Sequence, residues 1–159
     1  MSSLVKRGTV IPAAPVKARE GREWVGASGL EEFLAFDIAG ERMALPLASV
    51  REILKHSVPT PVPRAPPGVL GIVSVRGRIT TILDLRTRLG APRADPTRST
   101  RILLVHGGEK AEDEIVGVRV DAVHNVVRLR ADEIEPADVV AADLPDHVLG
   151  LGRPKRAQR

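Results

Sequence analysis

Residues 68–86 read G-V-L-G-I-V-S-V-R-G-R-I-T-T-I-L-D-L-R, and this segment carries the strongest structural signal in the sequence. It contains two runs rich in β-branched residues, Gly68–Val75 and Arg78–Leu83, which are separated by Arg76 and Gly77. Branched side chains favour strands, and glycine can take the positive φ that a two-residue hairpin requires. The stretch therefore predicts a β-hairpin, the strongest in the chain.

Two short helices are predicted on either side of this hairpin. Asp84 can cap a helix from Leu85 to Leu89, because its carboxylate can accept a hydrogen bond from the first free backbone amides. Upstream, Pro46 suits the first turn of a helix in which apolar residues follow at spacings of three and four, namely Leu47, Val50 and Leu54. The five prolines between residues 58 and 67 exclude a helix there and predict an extended connector.

Further hairpins are predicted before and after these elements. Apolar residues alternate from Leu34 to Ile38 and lead through Ala39 and Gly40 into a second run, while 102–105 and 115–120 form another pair of runs. The predicted strands do not alternate with helices, so βαβ units are not indicated. The fold class predicted from the residues is all-β, with two short helices, in a barrel or sandwich arrangement.

The 159 residues favour one compact domain with tails. Residues 1–30 are basic, contain scattered glycine and proline and show no period, so they predict a mobile basic leader. Residues 31–152 form the domain, and 153–159 a basic tail. No signal peptide or long apolar segment is visible and cysteine is missing, which favours a cytoplasmic protein without membrane insertion.

Catalytic and metal-binding motifs are not found in the sequence. No nucleophile elbow, phosphate-binding glycine loop or H-E-x-x-H segment occurs, and the histidines are scattered, at 56, 106, 124 and 147. We therefore expect no enzyme activity, no metal and no cofactor. The formal net charge is +4, with many basic residues near both ends. A small basic β module that binds nucleic acid through its tails is thus the alternative function.

The order of these features resembles the CheW-like domain of bacterial chemotaxis. The resemblance rests on E-F-L-A-F-D-I-A-G from Glu32, on L-P-L-A-S-V-R-E-I-L from Leu45, and on the G-x-x-x-x-R-G-x-x-x-x-x-x-D-L-R pattern from Gly71. A later segment, I-V-G-V-R-V-D-A-V-H-N-V-V from Ile115, extends the likeness, which covers residues 32–152. It implies a pair of small intertwined β barrels and a non-catalytic adaptor or scaffold in a chemoreceptor array.

The resemblance also implies partners and the residues that bind them. The partners are the cytoplasmic signalling tip of methyl-accepting receptors and, as a second partner left open, the regulatory domain of a CheA-type histidine kinase or another CheW-like protein. The V-x-E-I stretch and the R-G turn carry the partner-facing positions, with further ones in neighbouring segments. In this sequence they are Val50, Glu52, Ile53, Arg76 and Gly77, together with Gly71, Val123 and Val126.

One departure from the family pattern lies near the end of the chain. Where family members continue with an apolar strand and often a helix, this chain runs G-L-G-R-P-K-R from Gly150. The first barrel is therefore expected to lack its last strand, as in a short divergent member of the myxobacterial Frz-system type. The open edge would need a cover, which could be the leader, a second copy or a strand of a partner, and direct kinase binding is in doubt.

Overall fold

The computed structural model describes residues 9–12, 29–106, 114–136 and 148–152. Within these ranges lie eleven strands and one short helix. The strands are β1 Thr9–Pro12, β2 Leu30–Ile38, β3 Glu41–Pro46, β4 Val50–Lys55, β5 Val69–Val75, β6 Arg78–Asp84, β7 Arg101–His106, β8 Ile115–Val120, β9 Ala122–Arg130, β10 Ile134–Pro136 and β11 Val148–Gly152. The helix, α1, spans Leu85–Arg88.

The strands form two sheets, which confirms the predicted all-β class. The first sheet has six strands in the order β10-β11-β1-β3-β2-β9, and the second has five in the order β4-β7-β8-β6-β5. The chain leaves the first sheet after β3, builds the whole second sheet, and returns to the first sheet at β9. The two sheets are thus intertwined along the sequence.

Two tight hairpins connect neighbouring strands as the sequence predicts. In the turn between β2 and β3, Ala39 has φ 52° and Gly40 has φ 80°. In the turn between β5 and β6, Arg76 has φ 50° and Gly77 has φ 80°. Positive φ at both central residues is the geometry that matches the twist of paired strands.

The helix predicted after Pro46 is wrong for most of its length. A single 3₁₀ turn occupies Leu47–Ser49, and the chain then enters strand β4, which pairs antiparallel with β7. Residues 50 and 54 lie on the same side of either a helix or a strand, so the apolar spacing did not separate the two. Hydrogen bonds to β7 stabilise the strand, and the branched side chains of Val50 and Ile53 suit it.

The helix predicted after Asp84 is confirmed as α1. The Asp84 carboxylate accepts a hydrogen bond from the backbone N–H of Arg86 at 3.0 Å. Gly90, with φ 66°, follows the last turn. This short helix joins β6 to the loop that leads into β7.

The leader contributes a strand, in contrast to its expected mobility. β1 lies between β11 and β3, antiparallel to the former and parallel to the latter. The sequence showed no period there because four residues are too few to display one. Of the covers considered for an open edge, the leader is thus the one that pairs with β11; residues 1–8, 13–28 and 153–159 lie outside the described residues.

The main hydrophobic core lies between the two sheets. Side chains of β2 and β3 meet side chains of β7 and β8, and the buried members are Leu34, Phe36, Ile38, Met43, Leu45, Leu103, Val105, Val118 and Val120. Aliphatic residues dominate this cluster, as the composition predicts, and Phe36 is fully buried in it. In the part of the chain that the structure describes, no helix is long and apolar enough to cross a bilayer.

Candidate partner-binding surface

Strand β4 carries three of the predicted partner-binding residues on two different faces. Val50 is half-buried against the main core, and Glu52 follows it on the inner side of the strand. Ile53 lies on the outer side with 44% of its surface exposed. A helix would have placed Val50 and Ile53 together, whereas the strand separates a packing residue from an exposed apolar one.

The β5–β6 turn brings Arg76 to Glu52. Arg76 Nη2 donates to Glu52 Oε1 at 2.7 Å, and the two side chains are 79% and 31% exposed. β4 and β5 are the two edges of the second sheet, so this ion pair joins both edges at one end of it. An ion pair in contact with water stabilises a fold by about 1 kcal/mol at most. Its charges are thus available for a partner.

Gly71 has a backbone role in this fold. The Pro-rich connector passes alongside it, because Thr60 and Ile72 exchange two backbone hydrogen bonds of 2.9 Å. Gly71 has φ 145°, and a Cβ atom at that position would lie 2.2 Å from the carbonyl oxygen of Thr60. Glycine is therefore required by the close approach of two backbones, and Gly71 presents no side chain to a partner.

The two remaining predicted residues lie in the other sheet. Val123 is half-buried against the main core, and Val126 is 41% exposed on β9. β9 pairs with β2 alone among the described strands and forms one edge of the first sheet. The structure thus groups Glu52, Ile53, Arg76 and Gly77 at one end of the second sheet and places Val126 on the first.

The charged residues of segments 84–86 and 119–121 pair with each other. The family resemblance rests partly on these segments but assigns them no contact. Arg119 Nη2 donates to Asp84 Oδ2 at 2.9 Å, with Asp84 only 2% and Arg119 14% exposed. Arg86 forms an ion pair with Asp121, whose Oδ2 also accepts the backbone N–H of Ala39 in the first sheet. These pairs tie β6 to β8 and connect the two sheets.

A signal for this network is present in the sequence. D-L-R at 84–86 and R-V-D at 119–121 carry opposite charges in reversed order at the same spacing of two. β6 and β8 are parallel neighbours in which residue 84 lies opposite residue 119. Asp84 and Arg119 pair across these strands, and Arg86 in α1 pairs with Asp121 just after β8, so the two segments are complementary.

A smaller polar cluster lies on the first sheet. His124 Nε2 lies 2.6 Å from Asp37 Oδ2 and 3.1 Å from Arg42 Nη2. Burial raises the pKa of Asp37, but the hydrogen bonds from Arg42 and His124 outweigh it, and the net pKa is lowered from 3.8. The Asp37 carboxylate is therefore held in its charged form.

The described residues do not assemble a group of side chains typical of a metal centre. Among them, no group of three or more metal-ligating side chains could hold an ion. The Nε2 atom of His56 is buried without a hydrogen-bond partner in the described part of the chain. His147 and the acidic residues Glu112 and Asp113 lie outside the described residues, as do the basic residues of the leader and tail.

Known proteins resemble this chain in sequence and in fold. The family model described as CheW-like domain matches residues 32–157. The chain is 32% identical over 116 residues to the chemotaxis protein CheW of Rhizobium meliloti (strain 1021), covering 73% of this chain and 72% of that protein. It is 28% identical over 121 residues to protein FrzA of Myxococcus xanthus, covering 76% and 73%.

A solved structure gives the same result. The scaffolding protein TtCheW from Thermoanaerobacter tengcongensis matches with a TM-score of 0.66 at 27% identity, over 78% of this chain and 82% of that one. All eight predicted partner-binding residues fall inside the range that the family model matches. The range matched by the family model thus includes the whole second sheet and the edge strand β9.

Proposed function

This chain belongs to the CheW-like domain family, and on that premise we propose that it is a non-catalytic adaptor in a chemosensory array. It binds the cytoplasmic signalling tip of a methyl-accepting chemoreceptor and couples or tunes a CheA-type histidine kinase. It works in the cytoplasm, without a cofactor. The domain responsible spans residues 31–152.

The observation that carries this proposal is the exposed contact between Glu52 and Arg76. Two segments 24 residues apart meet in a charged pair at one end of the second sheet, and Ile53, the residue after Glu52, is exposed on the outer face of β4. Exposed charges and an exposed apolar side chain within one short segment are typical of a protein-binding surface, where the apolar group anchors and the charges orient. This supports the second sheet as the receptor-facing side.

The position of Val126 supports a second contact. It lies on β9 of the first sheet, whereas the Glu52–Arg76 pair lies on the second. An adaptor must hold two partners at once, and two surfaces on different sheets allow this without competition. We assign the β9 surface to the kinase regulatory domain or to another CheW-like protein.

Titration of the purified chain with a receptor signalling tip and, separately, with a CheA regulatory domain tests this function. Arg76→Glu places a second carboxylate beside Glu52 and should weaken receptor binding about tenfold or more. Arg98→Glu, in the exposed loop before β7, makes the same charge change and should leave binding unchanged. Absence of binding to both partners by the unmodified chain would reject the function, and equal loss in both variants would reject the site.

A further inference from the structure

A groove lies at the end of the second sheet that the Glu52–Arg76 pair spans. Its volume is about 360 Å³, and three strands supply the apolar floor through Val75, Leu104 and Ile115. These side chains belong to or pack against the buried cluster of the second sheet. The groove therefore has an apolar floor, which no local pattern in the sequence predicts.

The rim of this groove is strongly basic. Arg51, Arg76 and Arg78 line it together with a single carboxylate, that of Glu52. Glu52 forms an ion pair with Arg76, whereas neither Arg51 nor Arg78 makes an ion pair with any residue that the structure describes. Two exposed guanidinium groups are thus left for an acidic partner.

The groove also has an exposed apolar side chain at its edge. Ile79 lies on β6 between Arg78 and the buried Thr80, and 69% of its surface is exposed. An isoleucine this exposed on a strand contributes little to the fold. Beside an apolar floor it offers a contact that a partner's apolar side chain can bury.

We propose that this groove binds an acidic protein segment that carries an apolar anchor residue. The anchor packs on Ile79 and the floor, and flanking carboxylates pair with Arg51 and Arg78. This inference rests on the proposed adaptor function and gives its receptor-facing site a partner chemistry. It also adds three residues, Arg51, Arg78 and Ile79, to the site.

The lining favours an acidic protein over a nucleic acid. The groove contains no aromatic side chain on which a base could stack. The apolar floor has no counterpart in a sugar-phosphate chain.

The test compares full-length variants by titration with the receptor signalling tip that the unmodified chain binds. Arg51→Glu/Arg78→Glu should weaken binding about tenfold or more through charge repulsion. Ile79→Ala, which keeps the charge, should weaken it several-fold through lost apolar burial. Arg93→Glu/Arg98→Glu makes the same net-charge change in the exposed 92–99 loop and should have little effect. Thermal unfolding of each variant checks that the fold is intact.

The salt dependence of receptor-tip binding tests the same site independently. Binding by the unmodified chain should weaken as salt rises, and the Arg51→Glu/Arg78→Glu variant should lose much of this dependence. If the unmodified chain binds but the groove variants match the loop control, the groove assignment alone is overturned. If the unmodified chain binds neither partner, the adaptor function fails with it. Binding of a duplex DNA oligonucleotide that the groove variants abolish would also overturn the proposal.

Discussion

The second sheet is built from one continuous stretch of chain, whereas the first sheet collects its described strands from separate stretches. β4 to β8 follow one another between residues 50 and 120, and each pairs with strands of the same stretch. The first sheet combines β1 from the leader, β2 and β3, and then β9 to β11 from the last third. Its β10–β11 pair joins the other described strands through β1 alone.

The two sheets also differ in a buried charge pair. The second sheet contains the Asp84–Arg119 pair, which is buried between neighbouring strands, besides the exposed Glu52–Arg76 pair. In the first sheet the Glu32–Arg128 pair is exposed. Buried pairs cannot lose one partner without leaving a charge in the interior, whereas exposed ones are hydrated. The comparison indicates that the second sheet is stabilised by contacts within one stretch of chain, whereas the first sheet depends on contacts between distant segments.

The largest expected effect comes from breaking the buried pair. Asp84→Ala removes the partner of Arg119 and the cap of α1, and should lower the free energy of unfolding by about 3–5 kcal/mol. Glu32→Ala breaks the exposed pair with Arg128 and should lower it by about 1 kcal/mol at most. Urea unfolding followed by circular dichroism measures both. Equal losses in the two variants would contradict the contrast between the sheets.

Glycine substitutions give the second contrast. Gly40→Ala places a side chain in open space at φ 80° and should cost about 1–2 kcal/mol, the usual penalty of that conformation. Gly71→Ala should cost about 1–3 kcal/mol more, because its Cβ would collide with the Thr60 carbonyl. Urea unfolding again supplies the numbers, and amide exchange at Thr60 should accelerate only in Gly71→Ala. Equal losses of stability in Gly40→Ala and Gly71→Ala would mean that the Pro-rich connector moves away from residue 71 at no cost in free energy.

Removal of the leader strand tests the dependence of the first sheet on distant residues. A chain lacking residues 1–12 leaves β11 without its β1 partner. Amide hydrogen exchange in β11 should then rise about tenfold or more, equivalent to about 1.4 kcal/mol of lost protection. Amides of β7 and β8 serve as the internal control and should change little. Equal acceleration in both sheets would show that they unfold as one unit.

The smallest expected effect is a difference in pH response. Burial, followed by the charge of Arg119, lowers the pKa of His56 from 6.5. The unfolded chain therefore takes up a proton before the folded one does, and stability should fall as the pH drops below 6.5. Asp37, with its pKa lowered from 3.8, should contribute stability that is lost only below that value.

A histidine substitution isolates this response. Urea unfolding of the unmodified chain at about pH 7.5 and about pH 5.5 should show a loss of stability that His56→Gln reduces. His106→Gln, on β7, is the matched control and should keep the full loss. An identical pH response in the unmodified chain and His56→Gln would remove His56 as its source.

Most of the second sheet could be predicted from residues 68–86 and their neighbours. The alternation of branched residues, the R-G turn and the Asp84 cap are local signals, and each produced the predicted element. β4 was mistaken for a helix because its apolar spacing fits both structures. Only its hydrogen bonds to β7, about 50 residues later in the chain, distinguish them.

The candidate site was predicted in part. The sequence and its resemblance named Glu52 and Arg76 but not their contact, which depends on how two sheet edges meet. They also named Gly71, whose role is to let the connector approach. Ile79, Arg51 and Arg78 carried no separate signal, because an arginine or a branched residue in a strand pattern does not reveal its exposure.

The all-β class, the two X-Gly hairpins, the capped helix and the family could be inferred from the sequence, because these depend on residues close together in the chain. Three features are visible only in the folded chain: a leader strand enters the first sheet, D-L-R pairs with R-V-D, and a basic groove forms at one end of the second sheet. These features arise where distant strands become neighbours, and a local pattern cannot specify which strand lies next to which.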